Sequence, residues 1–166
     1  RRHATFGVVC ADAAIRIEVS AGECVPMSDR TLLAAESGSA TEVAPGLGSE
    51  SVSAGVRVRV MPTFEPDHSD PFERRYIFSY SIRVTNESET TIRLLSRVWV
   101  IINAHGDRHD VEGEGVVGRQ PTLRPGESFE YQSYCPLTTA WGTMEGRYQF
   151  ERPGTGERFE AEVARF

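Results

Sequence analysis

Three glycines spaced Gly113-x-Gly115-x-x-Gly118 spell the dinucleotide fingerprint, and the stretch immediately before them, His105 to Glu112, gathers two imidazoles and three carboxylates. The first pattern has the chemistry to hold a pyrophosphate on backbone N–H groups. The second has the residue types to hold a divalent cation. The fingerprint works only where its glycines turn a strand into a helix inside a βαβ unit. Pro121 and Pro125 follow within a few residues and oppose a helix start, so the glycines read as loop residues supplying positive φ or close backbone approach. A reduced form of the idea keeps Gly113, Gly115, Gly118 and Arg119 as an anion- or partner-binding candidate.

His105 and His109 fall on one side of an extended segment and, with Asp107, form the metal-ligand candidates. Transition-metal sites add convergent ligands from other segments, and only His3 and His68 remain as imidazoles elsewhere. The stretch is therefore read as a solvated polar loop, and no metal or cofactor is expected. Asp67-His68-Ser69-Asp70 carries triad residue types without a nucleophile elbow and reads as a turn into Pro71. Cys135, before Pro136 and without a neighbouring histidine, reads as a buried structural thiol. No catalytic residue is expected. Arg97 and Trp99 share one side of a strand and are favoured anchor types, so they are named as partner-contact residues; the competing reading puts Trp99 in the core, as in immunoglobulin folds.

The elements that position these residues show a period of two. Val56 to Val60 alternates valine with arginine, and Pro62 is expected to close that strand. Tyr76, Phe78, Tyr80, Ile82 and Val84 share one face of the next. Asn86 to Thr90 is a polar turn leading to Thr91–Asn103, apolar on both faces and so expected to be central and covered twice for part of its length. His105 to Gly118 is loop with at most a short edge strand, and Leu123-Arg124-Pro125-Gly126-Glu127 is a turn. Three strands follow, at Ser128–Tyr134, Met144–Phe150 and Glu157–Phe166. The fold class is all-β: an antiparallel sandwich of immunoglobulin or fibronectin type III type over residues 56–166, with a small open barrel as competitor. Residues 38–55 read as a Gly/Ser/Ala-rich linker, and residues 1–37 as an extension with a short strand at Ala14–Val19 and a helical turn or two at Asp29–Glu36.

Among the 166 residues the net charge is −6 and every cation is arginine. An acidic chain is poorly suited to collecting phosphates, so nucleic acid is not the expected partner. Cys10, Cys24 and Cys135 are widely spaced, without a C-x-x-C pair, and suggest a reducing compartment. No apolar run reaches the ~18 residues of a membrane-spanning helix, so no membrane partner is expected. The chain starts at Arg1 without an initiator methionine, which suggests trimming or processing; the expected location is cytoplasmic, with a mitochondrial or other organellar one as alternative.

The run Leu94-Leu95-Ser96-Arg97-Val98-Trp99, then Gly113-Glu114-Gly115-Val116-Val117-Gly118 with Gln120-Pro121, then Leu123 to Leu137 and Gly142 to Tyr148, closely resembles the ApaG domain over about residues 56–166. The resemblance implies a fibronectin type III-like sandwich with no established catalytic activity. Bacterial stand-alone members are named for a link to cobalt resistance and magnesium efflux. In eukaryotes the domain is attached to F-box proteins and to a polymerase-interacting mitochondrial and nuclear protein, where the implied role is protein contact. The function expected is a non-enzymatic protein-interaction module with a protein partner, self-association into a homodimer or larger assembly being left open. The alternatives are a small-anion- or divalent-metal-responsive protein of cobalt and magnesium homeostasis, and a subunit of a larger organellar assembly.

Overall fold

The computed structural model describes residues 48–166, so the expected strand and helical turn before residue 37 and the first part of the linker lie outside the described residues. Nine strands follow in order: β1 (Ser49–Ser53), β2 (Val56–Phe64), β3 (Tyr76–Asn86), β4 (Ile92–Asn103), β5 (Arg108–Glu114), β6 (Thr122–Leu123), β7 (Ser128–Leu137), β8 (Gly142–Arg152) and β9 (Glu157–Val163). One sheet has the order β1-β2-β3-β7 and the other β5-β4-β8-β9, with β6 beside β4. All pairs are antiparallel. The sandwich expected from the period of two is the observed architecture, not the open barrel.

Between the sheets lies the core. Val56, Val58 and Val60 of β2 and Tyr80, Ile82 and Val84 of β3 face Leu94, Trp99 and Ile101 of β4 and Tyr148 and Phe150 of β8, all buried. Trp99 is fully enclosed, with its ring 6.1 Å from Tyr80, 5.8 Å from Tyr148 and 6.3 Å from Phe166 in edge-on contacts. A hydrogen bond of 2.6 Å between the hydroxyls of Tyr131 and Tyr148 ties β7 to β8 across the interior.

Several elements differ from the sequence reading for physical reasons. The sandwich begins at Ser49, inside the stretch read as linker, because β1 is a polar edge strand with no aromatic to announce it. Its serines close the seam with β9: Ser49 donates to the Ala164 carbonyl at 2.7 Å, Ser51 to the Glu162 carbonyl at 2.5 Å, and the Glu162 N–H donates to Ser53 at 2.8 Å. Two otherwise open edges are covered in this way. β2 continues through Pro62 to Phe64, since β1 pairs with it only from Val56 to Val60, leaving Pro62 on a local edge where a missing N–H is tolerated. β4 is not covered twice. A bulge at Leu95 shifts its phase, so Ile92 and Leu94 point inward before it and Arg97, Trp99 and Ile101 after it, while Val98 and Val100 are half-exposed on the outer face.

Asn86 closes the turn after β3. Although fully buried, its amide donates to the carbonyls of Thr90 (2.8 Å) and Leu123 (3.0 Å) and accepts from the N–H (3.0 Å) and hydroxyl (2.7 Å) of Ser88. Replacing Asn86 by alanine orphans these groups and is expected to lower unfolding free energy by about 2–3 kcal/mol, read from the urea midpoint.

The outer faces carry arginine–carboxylate pairs. Hydrogen bonds from Arg59 and Arg57 hold the Glu50 carboxyl below its ordinary range, and Arg108 and Arg165 do the same for Asp110 and Glu145. A depressed carboxylate adds stability above its unfolded pKa and loses it as pH falls through the folded value. The urea midpoint is therefore expected to be level above about pH 5 and to fall below about pH 4, less steeply in high salt. A decline beginning above pH 6 would contradict this assignment.

Candidate functional site

The glycine-rich stretch is a structural hairpin. Gly113 on β5 lies under the guanidinium of Arg97, where an added Cβ would come within 3.0 Å of a guanidinium nitrogen. Arg97 in turn donates to the carbonyls of Glu114 (3.1 Å) and Gly115 (2.7 Å). Gly115, at φ 58°, places its N–H 2.7 Å from the Leu95 carbonyl, and a Cβ there would meet the Arg119 carbonyl at 2.2 Å. Val116 and Arg119 exchange backbone hydrogen bonds of 2.8 and 2.9 Å around Val117 and Gly118, whose φ values of 47° and 71° are those of a type I′ turn. The N–H groups of Val116 and Arg119 are thus committed inside the hairpin, and that of Gly115 to β4. No helix follows, and the nucleotide reading has no geometry to rest on. The Leu95 carbonyl, displaced by the bulge, also accepts from the Gln120 side chain at 3.0 Å, so hairpin and bulge fit together.

Arg97 and Trp99 are not at a surface. They are 1% and 0% exposed, because the bulge turns both inward, which corrects their assignment as partner contacts. His105, Asp107 and His109 are exposed, and the Asp107 carboxylate accepts from the Asn103 side chain at 2.9 Å. Among the described residues no three His, Cys, Asp or Glu side chains converge on a point that could hold a metal ion. Ser69 donates to the Glu65 carbonyl at 2.7 Å and accepts from the Ile77 N–H at 2.9 Å, so its hydroxyl braces a turn. Cys135 is buried, as expected of a structural thiol.

The feature with the form of a binding site lies at the end of the sandwich where β2 finishes and β8 begins. There an apolar recess of about 330 Å³ opens between the sheets, bounded by Phe64, Phe78, Tyr80, Leu137, Trp141 and Phe166. None of its lining side chains carries a formal charge. The volume lies within the range of small-ligand and side-chain pockets. Its floor is the core itself, where Phe166 packs 5.9 Å from Tyr80.

The rim is pre-arranged. Thr139, buried in the loop between β7 and β8, donates to the Trp141 carbonyl at 2.7 Å and accepts from the Ala104 N–H at 3.1 Å, anchoring that loop to the turn after β4. Gly142 has no room for a Cβ, which would lie 2.7 Å from the Ile102 carbonyl, so β8 starts pressed against β4. Beside it, Trp141 is left 61% exposed. Across the opening, Phe64 is 43% exposed and tilts against Phe78 at 5.2 Å. The loop between β2 and β3 leaves from this rim and carries Phe72, 99% exposed. Asp70 steadies its tip by accepting from the N–H groups of Phe72 (3.1 Å) and Glu73 (3.2 Å). The sequence signal for this site was a tryptophan in a short polar connection, Thr138 to Gly142, where a β-sandwich has no need of one.

The ApaG domain family matches residues 66–152. A protein of Anaeromyxobacter sp. (strain K) named Protein ApaG is 47% identical over 118 residues, covering 71% of this chain and 92% of that protein. One of the same name from Bradyrhizobium diazoefficiens is 49% identical over 116 residues, covering 70% and 88%. A crystal structure described as that of an ApaA protein from Bordetella pertussis superposes with a TM-score of 0.65 at 42% identity, covering 67% of this chain and 89% of that one.

The hairpin assignment separates three substitutions. Gly115→Ala is expected to cost about 2 kcal/mol or more, whereas Gly118→Ala, with open space around it, costs about 1 kcal/mol. Val117→Asn, relieving a β-branched residue at positive φ, is expected to raise the melting temperature. Thermal denaturation of the three variants checks the ranking.

Proposed function

We propose, from the premise that the chain belongs to the ApaG domain family, that it works as a non-enzymatic β-sandwich interaction module that receives a protein partner at the recess end. The observation that carries this reading is the uncovered pair Phe64 and Trp141 flanking an apolar opening without charged lining. Exposed aromatics beside a pocket are the usual anchors of protein interfaces, where a few residues supply most of the affinity. Both rings are already partly covered, so burying the remainder of one removes about 90–150 Å² from water, worth roughly 2–4 kcal/mol before the entropy of association is subtracted. On its lining the Ser79 hydroxyl donates to the Glu65 carboxylate, and beside it Thr139 holds the loop. What the recess offers a partner is shape and apolar surface. Its rim is already held by packing and hydrogen bonds, so little ordering cost opposes binding.

A photo-crosslinking residue at position 141 is expected to trap a discrete protein in cells, and the same probe at Arg83, on the outer face of the β2–β3 sheet, to trap none. Trapping by a probe at Gly118 but not at 141 would move the site to the hairpin and overturn the reading.

A further inference from the structure

Resting on the interaction-module reading, the charge distribution around the recess narrows the class of partner. The recess has no charge of its own, so whatever enters it must be apolar; a buried ion would lose its hydration without a counter-charge. The rim is different. The loop between β2 and β3 carries Glu65, Asp67, Asp70 and Glu73 against Arg74 and Arg75, and the turn after β4 adds Asp107 at the same end of the sandwich. Elsewhere several carboxylates meet arginines: Glu50 and Glu87 meet Arg57, Glu130 meets Arg83, and Glu160 meets Arg147. None of the ion pairs among the described residues takes up Asp67, Glu73, Arg74 or Arg75, all exposed, so the loop sets four carboxylates against two arginines and is acidic on balance. Asp70 is turned to the backbone of its own loop, Glu65 to Ser79 and Asp107 to the Asn103 side chain, which leaves Asp67 and Glu73 as the exposed carboxylates of this end outside those contacts.

We infer that the partner presents an extended peptide with one bulky apolar side chain, aromatic or leucine-sized, that enters the recess, and with arginine or lysine a few residues away that meets the acidic rim. The apolar anchor supplies affinity by leaving water. The cations supply steering and discrimination against acidic sequences, and their contribution weakens as salt screens the exposed carboxylates. Arginine is the better match, since its fork reaches a carboxylate bidentately.

Fluorescence anisotropy with short labelled peptides tests this. The probe has one tryptophan flanked on both sides by arginines; three twins replace the arginines by glutamates, replace them by serines, or replace the tryptophan by alanine. The arginine–tryptophan peptide is expected to bind at micromolar to submillimolar concentration, with the glutamate and alanine twins about tenfold weaker or worse. Trp141→Ala should weaken it about tenfold. Asp67→Asn with Glu73→Gln should weaken it several-fold and flatten its salt dependence. Melting curves establish that both variants fold. If the serine twin binds as tightly as the arginine peptide and Trp141→Ala weakens both, the recess reading stands and the charge inference falls. If the arginine peptide fails to bind at millimolar concentration, or binds without any effect of Trp141→Ala, both fall.

Discussion

The interior of this sandwich depends on one inserted residue in β4. Leu95 has no partner opposite it on β8, and the shift of phase it causes turns Arg97, Trp99 and Ile101 inward along a strand whose first half buried Ile92 and Leu94. Without the bulge, the even-numbered valines would fill the core, and arginine and tryptophan would stand in water. With it, Trp99 becomes the hub that Tyr80, Tyr148 and Phe166 pack against. Arg97 is carried inside as a consequence, and a buried guanidinium must be hydrogen-bonded to be tolerated. The glycine hairpin meets that demand. Gly113 leaves space for the guanidinium, the carbonyls of Glu114 and Gly115 accept from it, and the Gly115 N–H returns to the carbonyl that the bulge displaced. Bulge, buried arginine and glycines form one unit.

This explains how far the sequence could be read. The period of two after Val56 is a direct imprint of strands with one wet face, so the fold and most of its strands were legible, and the Pro125-Gly126 turn was too: Gly126 has φ 80°, as its position requires. Bulges leave no such imprint. A strand with apolar residues on both faces reads equally as doubly covered or as phase-shifted, and only pairing with β8 decides between them. Burial of Arg97 was hidden for the same reason, since its residue type argues for the surface. β1 was hidden by composition, as serine and glutamate serve an edge strand and a linker equally well.

The candidate site was less legible than the fold. Motif reading is drawn to glycines and to histidine–carboxylate runs, and here the first are architectural while the second, His105 to Glu112, forms a turn and an exposed edge strand. The recess is assembled from positions far apart in the chain, including Phe64, Phe78, Trp141 and Phe166, each an ordinary apolar residue in its own segment. The two ends of the sandwich divide the labour. The hairpin end stabilises the interior, and the recess end leaves aromatic surface uncovered and holds it in place through Thr139 and Gly142.

The most direct measurement is to map amide chemical-shift changes on the ¹⁵N-labelled protein as a purified binding partner or the arginine–tryptophan peptide is titrated in. The account predicts that the perturbed amides cluster at Thr63–Phe64, Phe78–Tyr80 and Cys135–Met144, with the Gly113–Arg119 hairpin unmoved. Changes concentrated in the hairpin, with the recess silent, would contradict it.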